Sequence, residues 1–307
     1  MLETTLLFKT LSILSSQIAI VFGGTYLFIA YARKASKDNV SFFGYHFRQS
    51  KNIYNKKLDL VPYPLAESHF PRLMTKTISE EMVEDGFFTP VVKDTWLAPK
   101  PKIKNKIVEK FIRNESERIA ALKEGYKDKG VSNPFQIGMF ILWVILLFTL
   151  PYIQITGGML IGMLAFTALS LLFVPILGIL MLEGDDNDGI LAMKLTMLVT
   201  FFTAIVGLYS GINFANNVFL NSLLFFSLIG LILFEISRSF INISRPKVKG
   251  VAFFGIFIFI GFLLVDFNYI VEYSNSGNTW DNAFQIAFQL YLDMINLLLE
   301  ILEAMGD

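Results

Sequence analysis

Long apolar runs alternate with short polar stretches over most of the chain. Seven runs of about 20 residues or more occupy 5–31, 136–156, 159–182, 190–212, 218–241, 250–272 and 283–303. A helix of about 20 residues crosses roughly 30 Å of hydrocarbon, so each run is long enough for one crossing. Helices also satisfy their own backbone hydrogen bonds, as a lipid environment demands. The pattern predicts an all-α integral membrane protein built as a seven-helix bundle.

One long polar segment interrupts this pattern after the first run. The chain therefore divides into a first transmembrane helix at 1–31, a polar insertion at 32–134 and the six-helix remainder of the bundle at 135–307. Within the insertion, proline occupies positions 62, 64, 99 and 101. Proline disfavours helix both at its own position and at the residue before it. We expect these stretches to be extended.

Two parts of the insertion carry helical signals. Thr77 and Glu80 have the spacing of a capping box, which predicts a short helix that ends near Gly86. Between residues 102 and 129, apolar side chains recur at intervals of three and four, and Gly130 follows as a terminator. This pattern predicts one amphipathic helix within an otherwise mostly extended insertion.

Aromatic side chains are frequent in the insertion, although it lacks the apolar patterning of an independent core. Aromatic rings bury a large area and are common anchors of protein interfaces. We therefore interpret residues 32–134 as an arm that binds other membrane-protein subunits. The expected anchors are Phe42, Phe43, Tyr45, Phe87, Phe88 and Trp96.

Charge is distributed unevenly, although the formal net charge is zero. The insertion holds 20 of the 26 Lys and Arg residues but 13 of the 26 Asp and Glu residues, an excess of seven positive charges. The loop from Arg238 to Lys249 is also basic. Basic loops stay on the cytoplasmic or matrix side of a membrane. We expect the insertion and the C-terminus on that side of a bacterial plasma membrane or an organelle (mitochondrial) inner membrane.

Composition excludes several classes of function. Mean hydropathy is +0.54 and 54% of the residues are hydrophobic, which is unlike a soluble domain. The chain has no cysteine, and His46 and His69 both lie in the insertion, so thiolate chemistry and an intramembrane haem held by two histidines are excluded. No nucleophile–base pair or metal-ligand cluster is visible. We expect no enzyme activity, no cofactor or metal, and no nucleic-acid partner.

Two aspartates lie inside the last two apolar runs, Asp266 within 250–272 and Asp293 within 283–303. A carboxylate in hydrocarbon is costly unless it is paired, protonated or facing water, so it is a candidate functional group. The rise of a helix puts the two residues at similar depth. Two adjacent carboxylates in such surroundings cannot both ionise and would share a proton. Loss of that proton would attract a cation; the alternative is a permanently protonated pair that only joins two helices.

Further polar side chains accompany the two aspartates. Gln285, Gln289 and Asn296 share the face of Asp293 at intervals of four, four and three, so this face must contact protein or water rather than lipid. Asn268 follows Asp266 by two residues, and we include it in this supporting set.

The last two runs contain the motifs DFNYI at 266–270 and LYLDMINL at 290–297, and a proline break, FVPI, lies at 173–176. In these motifs the chain resembles the transmembrane Bax inhibitor motif family, over the first run and residues 136–306. The resemblance implies a seven-helix fold with the last helix at its centre. It also implies a pH-sensitive calcium leak that the aspartate pair, Asp266 and Asp293, gates.

The sequence departs from the family's pattern in three respects. Bacterial members carry a basic latch for the aspartates near the end of the second helix, whereas residues 135–156 contain no Lys or Arg. The first connection is a long insertion instead of a short loop, and the loop charges predict the orientation opposite to the usual bacterial one. Lys194 is a candidate replacement for the latch, although a lysine stem more often reaches to the interface.

Two functions therefore stay open. One is a pH-sensitive cation (calcium) leak through the membrane, with Ca²⁺ and lipid as the partners. The other is a structural accessory subunit of a larger assembly, such as a respiratory complex of the mitochondrial inner membrane. Such a subunit would keep the fold without transport and bind its neighbours through residues 32–134.

Overall fold

The chain forms two compact units. The first consists of residues 1–43, 47–63 and 134–307, and the second of residues 44–46 and 64–133. The computed structural model describes residues 5–38, 40, 42–43, 45–51, 58–64, 72–81, 103–112, 115–128, 134–183, 186–240, 245–274 and 277–305.

Helices dominate the first unit, and all five strands of the described residues lie within the insertion. In chain order the elements are α1 (Leu6–Ile18), a π-helical turn (Ala19–Gly23), α2 (Gly24–Asp38), β1 (Tyr45–Lys51), β2 (Leu58–Pro64), β3 (Arg72–Glu81), β4 (Ile103–Ile112), α3 (Glu115–Lys123), β5 (Lys127–Asp128), α4 (Pro134–Glu183), α5 (Asp186–Tyr209), α6 (Val218–Phe240), α7 (Arg245–Tyr273) and α8 (Trp280–Met305).

The first apolar run forms one long helical segment. The hydroxyl of Thr5 accepts a hydrogen bond from the backbone N–H of Phe8 at 3.2 Å and so caps the start of α1. The π-helical turn joins α1 to α2 without interrupting the segment, which ends at Asp38. The helix therefore extends past the predicted boundary at residue 31 into polar sequence.

The helix α4 doubles back on itself. Its 50 residues would measure roughly 75 Å if they formed one straight helix. Gly158 instead has φ 77° and ψ 176°, a conformation that residues with a side chain rarely adopt. The rings of Trp143 and Phe173 stack with their centroids 5.1 Å apart, whereas a straight helix would separate the two residues by roughly 45 Å. The element is therefore a helical hairpin, which agrees with the separate apolar runs 136–156 and 159–182.

The last helix lies at the centre of the bundle. It packs against α1, α4, α5 and α7. In its most apolar stretch 56% of the residues are buried, compared with 11% for α6, which packs mainly on α7. The central position of the last helix, which the family resemblance implies, is thus observed.

Contacts between helix ends show which of these ends lie at the same end of the bundle. Near the turn of the α4 hairpin, the side-chain amide of Gln154 donates to the carboxylate of Asp281 at the start of α8, at 2.7 Å. At the other end of the bundle, Arg238 near the end of α6 pairs with Glu303 near the end of α8, at 3.0 Å. The hairpin turn and the start of α8 therefore share one end, and the ends of α6 and α8 share the other.

The prediction of a helical membrane protein is confirmed. Within the described residues, six helices are long and apolar enough to cross a membrane, and one of these covers both arms of the α4 hairpin. The number of crossings, predicted as seven, stays a prediction because it depends on whether each arm of the hairpin spans the bilayer.

The second unit contains a small antiparallel sheet. β3 pairs with β4 over its whole length and with β5 on its other edge, in the order β4-β3-β5. Met74 of β3, Ile112 of β4 and Ala121 of α3 are fully buried and form a core with the partly buried Tyr126. The insertion was expected to lack a core of its own, and between residues 72 and 128 that expectation is wrong.

Two helix predictions in the insertion are also wrong. Residues 103–112 form β4 instead of the first half of an amphipathic helix, and the helix is limited to Glu115–Lys123. The capping-box sequence from Thr77 to Glu80 lies inside β3. Both segments pair with each other, and strand pairing between segments distant in sequence overrides local helical signals. The extended conformation predicted near positions 62 and 64 is confirmed by β2, whereas positions 86, 99 and 101 lie outside the described residues.

Candidate functional site

The two intramembrane aspartates meet between α7 and α8. The carboxyl groups of Asp266 on α7 and Asp293 on α8 face each other within hydrogen-bonding reach. Asp266 is 8% exposed, and Asp293 is partly buried. An ionised carboxylate only accepts hydrogen bonds, so a bond between two carboxyl groups requires a proton on one of them. Two carboxyl groups placed in this way have the geometry to share a proton.

Apolar side chains close to each aspartate along its own helix are buried. Val265 and Phe267 on α7, and Leu290 and Leu297 on α8, are all buried. Within the described part of the chain, no basic side chain forms an ion pair with either carboxyl group, and each is the other's charged neighbour. A second negative charge in this position would therefore have no compensating cation from these residues.

The polar face of α8 is less covered than the rest of the helix. Gln285 and Gln289 are exposed, and Asn296 is partly buried like Asp293. The same face continues beyond the predicted set, because Glu300 and Glu303 follow Asn296 at intervals of four and three, and both are partly buried. A polar stripe thus runs along α8 past the aspartate pair to its C-terminal end. The sequence analysis stopped at Asn296, although the helical period alone would have found the two glutamates.

A basic side chain of α6 pairs with the acidic end of this stripe. Arg238 of α6 lies 3.0 Å from Glu303 and 3.5 Å from Glu235, so it joins α6 to α8. The carboxyl group of Glu300 lies against Gly255 of α7, where an added Cβ atom would stand only 2.5 Å from its Cδ atom. The basic loop residues Arg245, Lys247 and Lys249 follow Arg238 in the chain.

Asn268 does not join the aspartate pair. Its side-chain oxygen accepts from the backbone N–H of Ala215 at 3.0 Å, and its amide donates to the carbonyls of Gly207 and Ile212, both at 3.1 Å. Asn268 is 5% exposed and holds the connection between α5 and α6 against α7. Its observed contacts are those of a residue that fixes a loop.

Two lysines of the bundle, the candidate latch Lys194 and Lys9, differ in burial. Lys194 is exposed on α5. Lys9 of α1 is only 6% exposed, and its ammonium group donates to the backbone carbonyl of Asn278 at 2.9 Å and to the side-chain oxygen of the same residue at 3.0 Å. It also lies 5.8 Å from the centre of the Trp280 ring, a cation–π distance. The sequence analysis missed Lys9, although a charge inside an apolar run is itself a signal.

A second group of buried polar side chains joins α1, α4 and α8. Ser170 donates to the side-chain oxygen of Gln17 at 2.9 Å, and the amide of Gln17 reaches Thr167 at 3.3 Å. The hydroxyl of Tyr291 lies beside Ser170 but does not reach good hydrogen-bond geometry. These contacts position α8 in the bundle, two residues before Asp293.

The aromatic anchors predicted in the insertion are only partly described. The rings of Phe42 and Phe43 pack on Phe28 of α2, with centroids 5.0 and 5.2 Å away. Tyr45 is in β1, and positions 87, 88 and 96 lie outside the described residues. At least two of the predicted anchors therefore contact the chain's own first helical segment, and the role of the insertion in binding partners stays a prediction.

The described residues do not form a metal site of several protein side chains. Among the described residues, no group of three or more His, Asp or Glu side chains could hold a metal ion. What α7 and α8 provide is a pair of neighbouring carboxyl groups, of which Asp293 lies on the polar face of α8.

Comparison with known proteins identifies the family of the helical region. The family model described as "Inhibitor of apoptosis-promoting Bax1" matches residues 121–307, which include α4 to α8 and both aspartates. No curated protein matches the chain. The family match covers more than half of the 307 residues and all of the helices that form the site. The chain therefore belongs to the Bax inhibitor family.

Proposed function

We propose that this protein is a pH-sensitive cation leak, with Ca²⁺ as its principal ion, in which Asp266 and Asp293 form the gate. The observation that supports the proposal is that the two carboxyl groups lie within hydrogen-bonding reach of each other, without a basic partner among the described residues. A pair of this kind has two states. In the closed state the two carboxyl groups share a proton, and in the open state that proton is lost.

The gate would work through electrostatic repulsion. With the proton in place, α7 and α8 are held together by the bond between Asp266 and Asp293. When the proton is lost, two like charges face each other at low dielectric, where their repulsion is much stronger than in water. A divalent cation between them relieves this repulsion. We therefore expect cation flux to rise with pH as the pair loses its proton.

The polar stripe on α8 supplies a route on one side of the gate. Asn296 follows Asp293 on the same face, and Glu300 and Glu303 lie further along it, near the end of the helix. Acidic side chains at the end of a pathway raise the local concentration of cations. The ion pair between Arg238 and Glu303 lies at this end of the helix and would narrow the entrance of the cation pathway.

Reconstitution in liposomes tests the proposal. The purified full-length protein is incorporated into vesicles that contain a calcium-sensitive dye, and calcium entry is followed between pH 5 and pH 8. Asp293→Asn keeps a hydrogen-bonding partner for Asp266 but removes one titrating group, and we expect it to abolish the pH dependence. Asp281→Asn, on the same helix but bonded to Gln154, is the matched control and should retain it.

Two outcomes would contradict the proposed function. If wild-type vesicles admit calcium no faster than empty ones at any pH, the protein is not a leak. If flux is present but has the same pH profile in Asp293→Asn and in the wild type, the aspartate pair is not the gate.

A structural accessory subunit is the second candidate function. The specific observation in its favour is the second unit, which has a sheet and a core of its own and lies mostly outside the family match. Extraction of the protein from its native membrane in mild detergent tests this candidate. Comigration with other membrane proteins in a stable complex would support it, whereas a protein that runs alone would remove its main support.

A further inference from the structure

A cleft of about 290 Å³ lies where α2 meets the beginning of α5. Its lining combines two kinds of side chain. Apolar and aromatic groups come from Tyr26, Ile29 and Ala30 of α2 and from Ile190 of α5, and three cationic groups come from Arg33, Lys34 and Lys37 of α2.

The two kinds of lining are separated along the helix axis. Tyr26, Ile29 and Ala30 lie toward the middle of the helical segment, and the three cationic residues occupy its last two turns before Asp38. From Tyr26 to Lys37 the helix rises by roughly 16 Å. The cleft therefore changes from apolar to strongly basic over a short distance in the direction in which the helix ends.

A phospholipid at a membrane surface has the same order, because its acyl chains are apolar and its headgroup, further out, is charged. The segment from Leu6 to Asp38 is long and apolar enough to cross a bilayer, so its final turns emerge at the level of the lipid headgroups. Basic clefts between transmembrane helices at the cytoplasmic or matrix surface bind anionic headgroups. The size of the cleft lies at the lower end of the range for small-molecule sites, roughly 300–1,000 Å³, which suits a headgroup with the first part of its acyl chains.

We propose that this cleft binds the headgroup of an anionic phospholipid. Its phosphate would lie between Lys34 and Lys37, whose side chains are exposed, with Arg33 partly buried behind them. The upper part of the acyl chains would follow Tyr26, Ile29 and Ile190 toward the hydrocarbon. A zwitterionic headgroup would place its own cation among these three positive charges and bind more weakly.

Acidic groups oppose this attraction, and Glu183, Asp185 and Asp186 precede Ile190 in the sequence. The C-terminus of α2 carries about half a negative charge from the helix dipole, and Asp38 adds another at its end. Asp188 lies two residues before Ile190. Arg33 and Asp188 each already have an interaction within the protein, so selectivity is assigned mainly to Lys34 and Lys37.

The test measures binding of a short-chain phosphatidylglycerol to the full-length protein in a neutral detergent, by microscale thermophoresis. The matching phosphatidylcholine and inorganic phosphate serve as comparison ligands. The cleft variant is Lys34→Gln with Lys37→Gln. The matched control is Lys123→Gln with Lys247→Gln, which removes the same charge from two exposed lysines elsewhere. Size-exclusion profiles and circular dichroism establish that both variants are folded.

We expect phosphatidylglycerol to bind to the wild type and to the control variant with similar affinity. Two basic groups at an anionic surface account for roughly 30-fold in affinity, so the cleft variant should bind about that much more weakly. Equal affinity for phosphatidylglycerol and phosphatidylcholine, or an equal loss in both variants, would overturn the proposal. Inorganic phosphate that binds as tightly as phosphatidylglycerol would also overturn it, because the apolar wall would then contribute nothing.

Discussion

The ammonium group of Lys9, near the start of α1, donates a hydrogen bond to the backbone carbonyl of Asn278, two residues before α8 begins, at 2.9 Å. This contact joins the first helix of the chain to the entrance of its central helix. Asp293 lies 13 residues after Trp280, roughly 20 Å along the helix. Lys9 therefore supports the segment before α8 and is too far away to latch the aspartate pair.

Replacement of Lys9 tests this structural role. Lys9→Met keeps a long side chain but leaves the carbonyl of Asn278 without its charged donor. Hydrogen bonds to charged groups contribute roughly 1.5–3 kcal/mol, so we expect a loss of stability of about that size and a lower Tm in detergent. Lys194→Met, at an exposed position on α5, should change the Tm little. Equal Tm values for the two variants would show that the Lys9 contact does not stabilise the fold.

The contact between α5 and α7 beside the aspartate pair depends on Gly207. A Cβ atom at this position would stand 2.8 Å from Cβ of Phe267 and 3.0 Å from the backbone oxygen of Leu264. Gly207→Ala must push the two helices apart, and overpacking of this kind costs roughly 1–3 kcal/mol. At Gly230 of α6, no atom lies within 4 Å of an added Cβ. Gly230→Ala should therefore be neutral or slightly stabilising, because alanine favours helix.

Thermal unfolding of the two glycine variants, followed by intrinsic tryptophan fluorescence, measures this difference. A Gly207→Ala protein as stable as the Gly230→Ala protein would contradict the close helix contact. In vesicles, displacement of α7 should also alter calcium flux, since Asp266 lies on the same helix.

The small core of the second unit can be tested by proteolysis. Ile112 is fully buried together with Met74 and Ala121, and large-to-small changes in a core typically cost 2–5 kcal/mol. We expect Ile112→Ala to make the insertion sensitive to trypsin at protease levels that leave the wild-type insertion intact. Val108→Ala, at a partly buried position on the same strand, is the matched control with a smaller effect. If the isolated wild-type insertion is itself cleaved at once, the unit acquires its order only from partners.

Orientation in the membrane follows from the positions of the basic groups. The basic residues from Arg238 to Lys249 lie at the same end of the bundle as the end of α8. We predict that this loop and the insertion face the cytoplasm or matrix, since basic loops are retained on that side. Protease added to the outer face of intact cells or organelles should leave residues 90–130 uncut. Cleavage there would show that the protein has the opposite orientation, which is the one usual for bacterial members of the family.

Much of the membrane part could be predicted because its signals are local. The length of an apolar run decides whether a helix can span a bilayer, and the helical period places Gln289, Asp293 and Asn296 on one face. Neither property depends on distant parts of the chain. The two aspartates could be singled out for the same reason, since a charge within an apolar run is costly wherever the helix packs.

The insertion shows where local signals are insufficient. The intervals of three and four between residues 102 and 129 are typical of a helix, yet Ile103–Ile112 forms a strand. Its hydrogen-bonding partner, β3, begins about thirty residues earlier, at Arg72. A strand gains most of its stability from that pairing, so its conformation cannot be read from its own residues.

The sequence by itself determined that this is a helical membrane protein of the Bax inhibitor family with two acidic side chains in its last two apolar segments. Only the tertiary structure decided that Asp266 and Asp293 lie next to each other, that Asn268 fixes a loop instead, and that Lys9 is buried. The physical reason is that composition and period fix what each segment is, because these depend on near neighbours in the chain. Which faces meet depends on packing between segments far apart in sequence, and this is settled only when the helices close around α8.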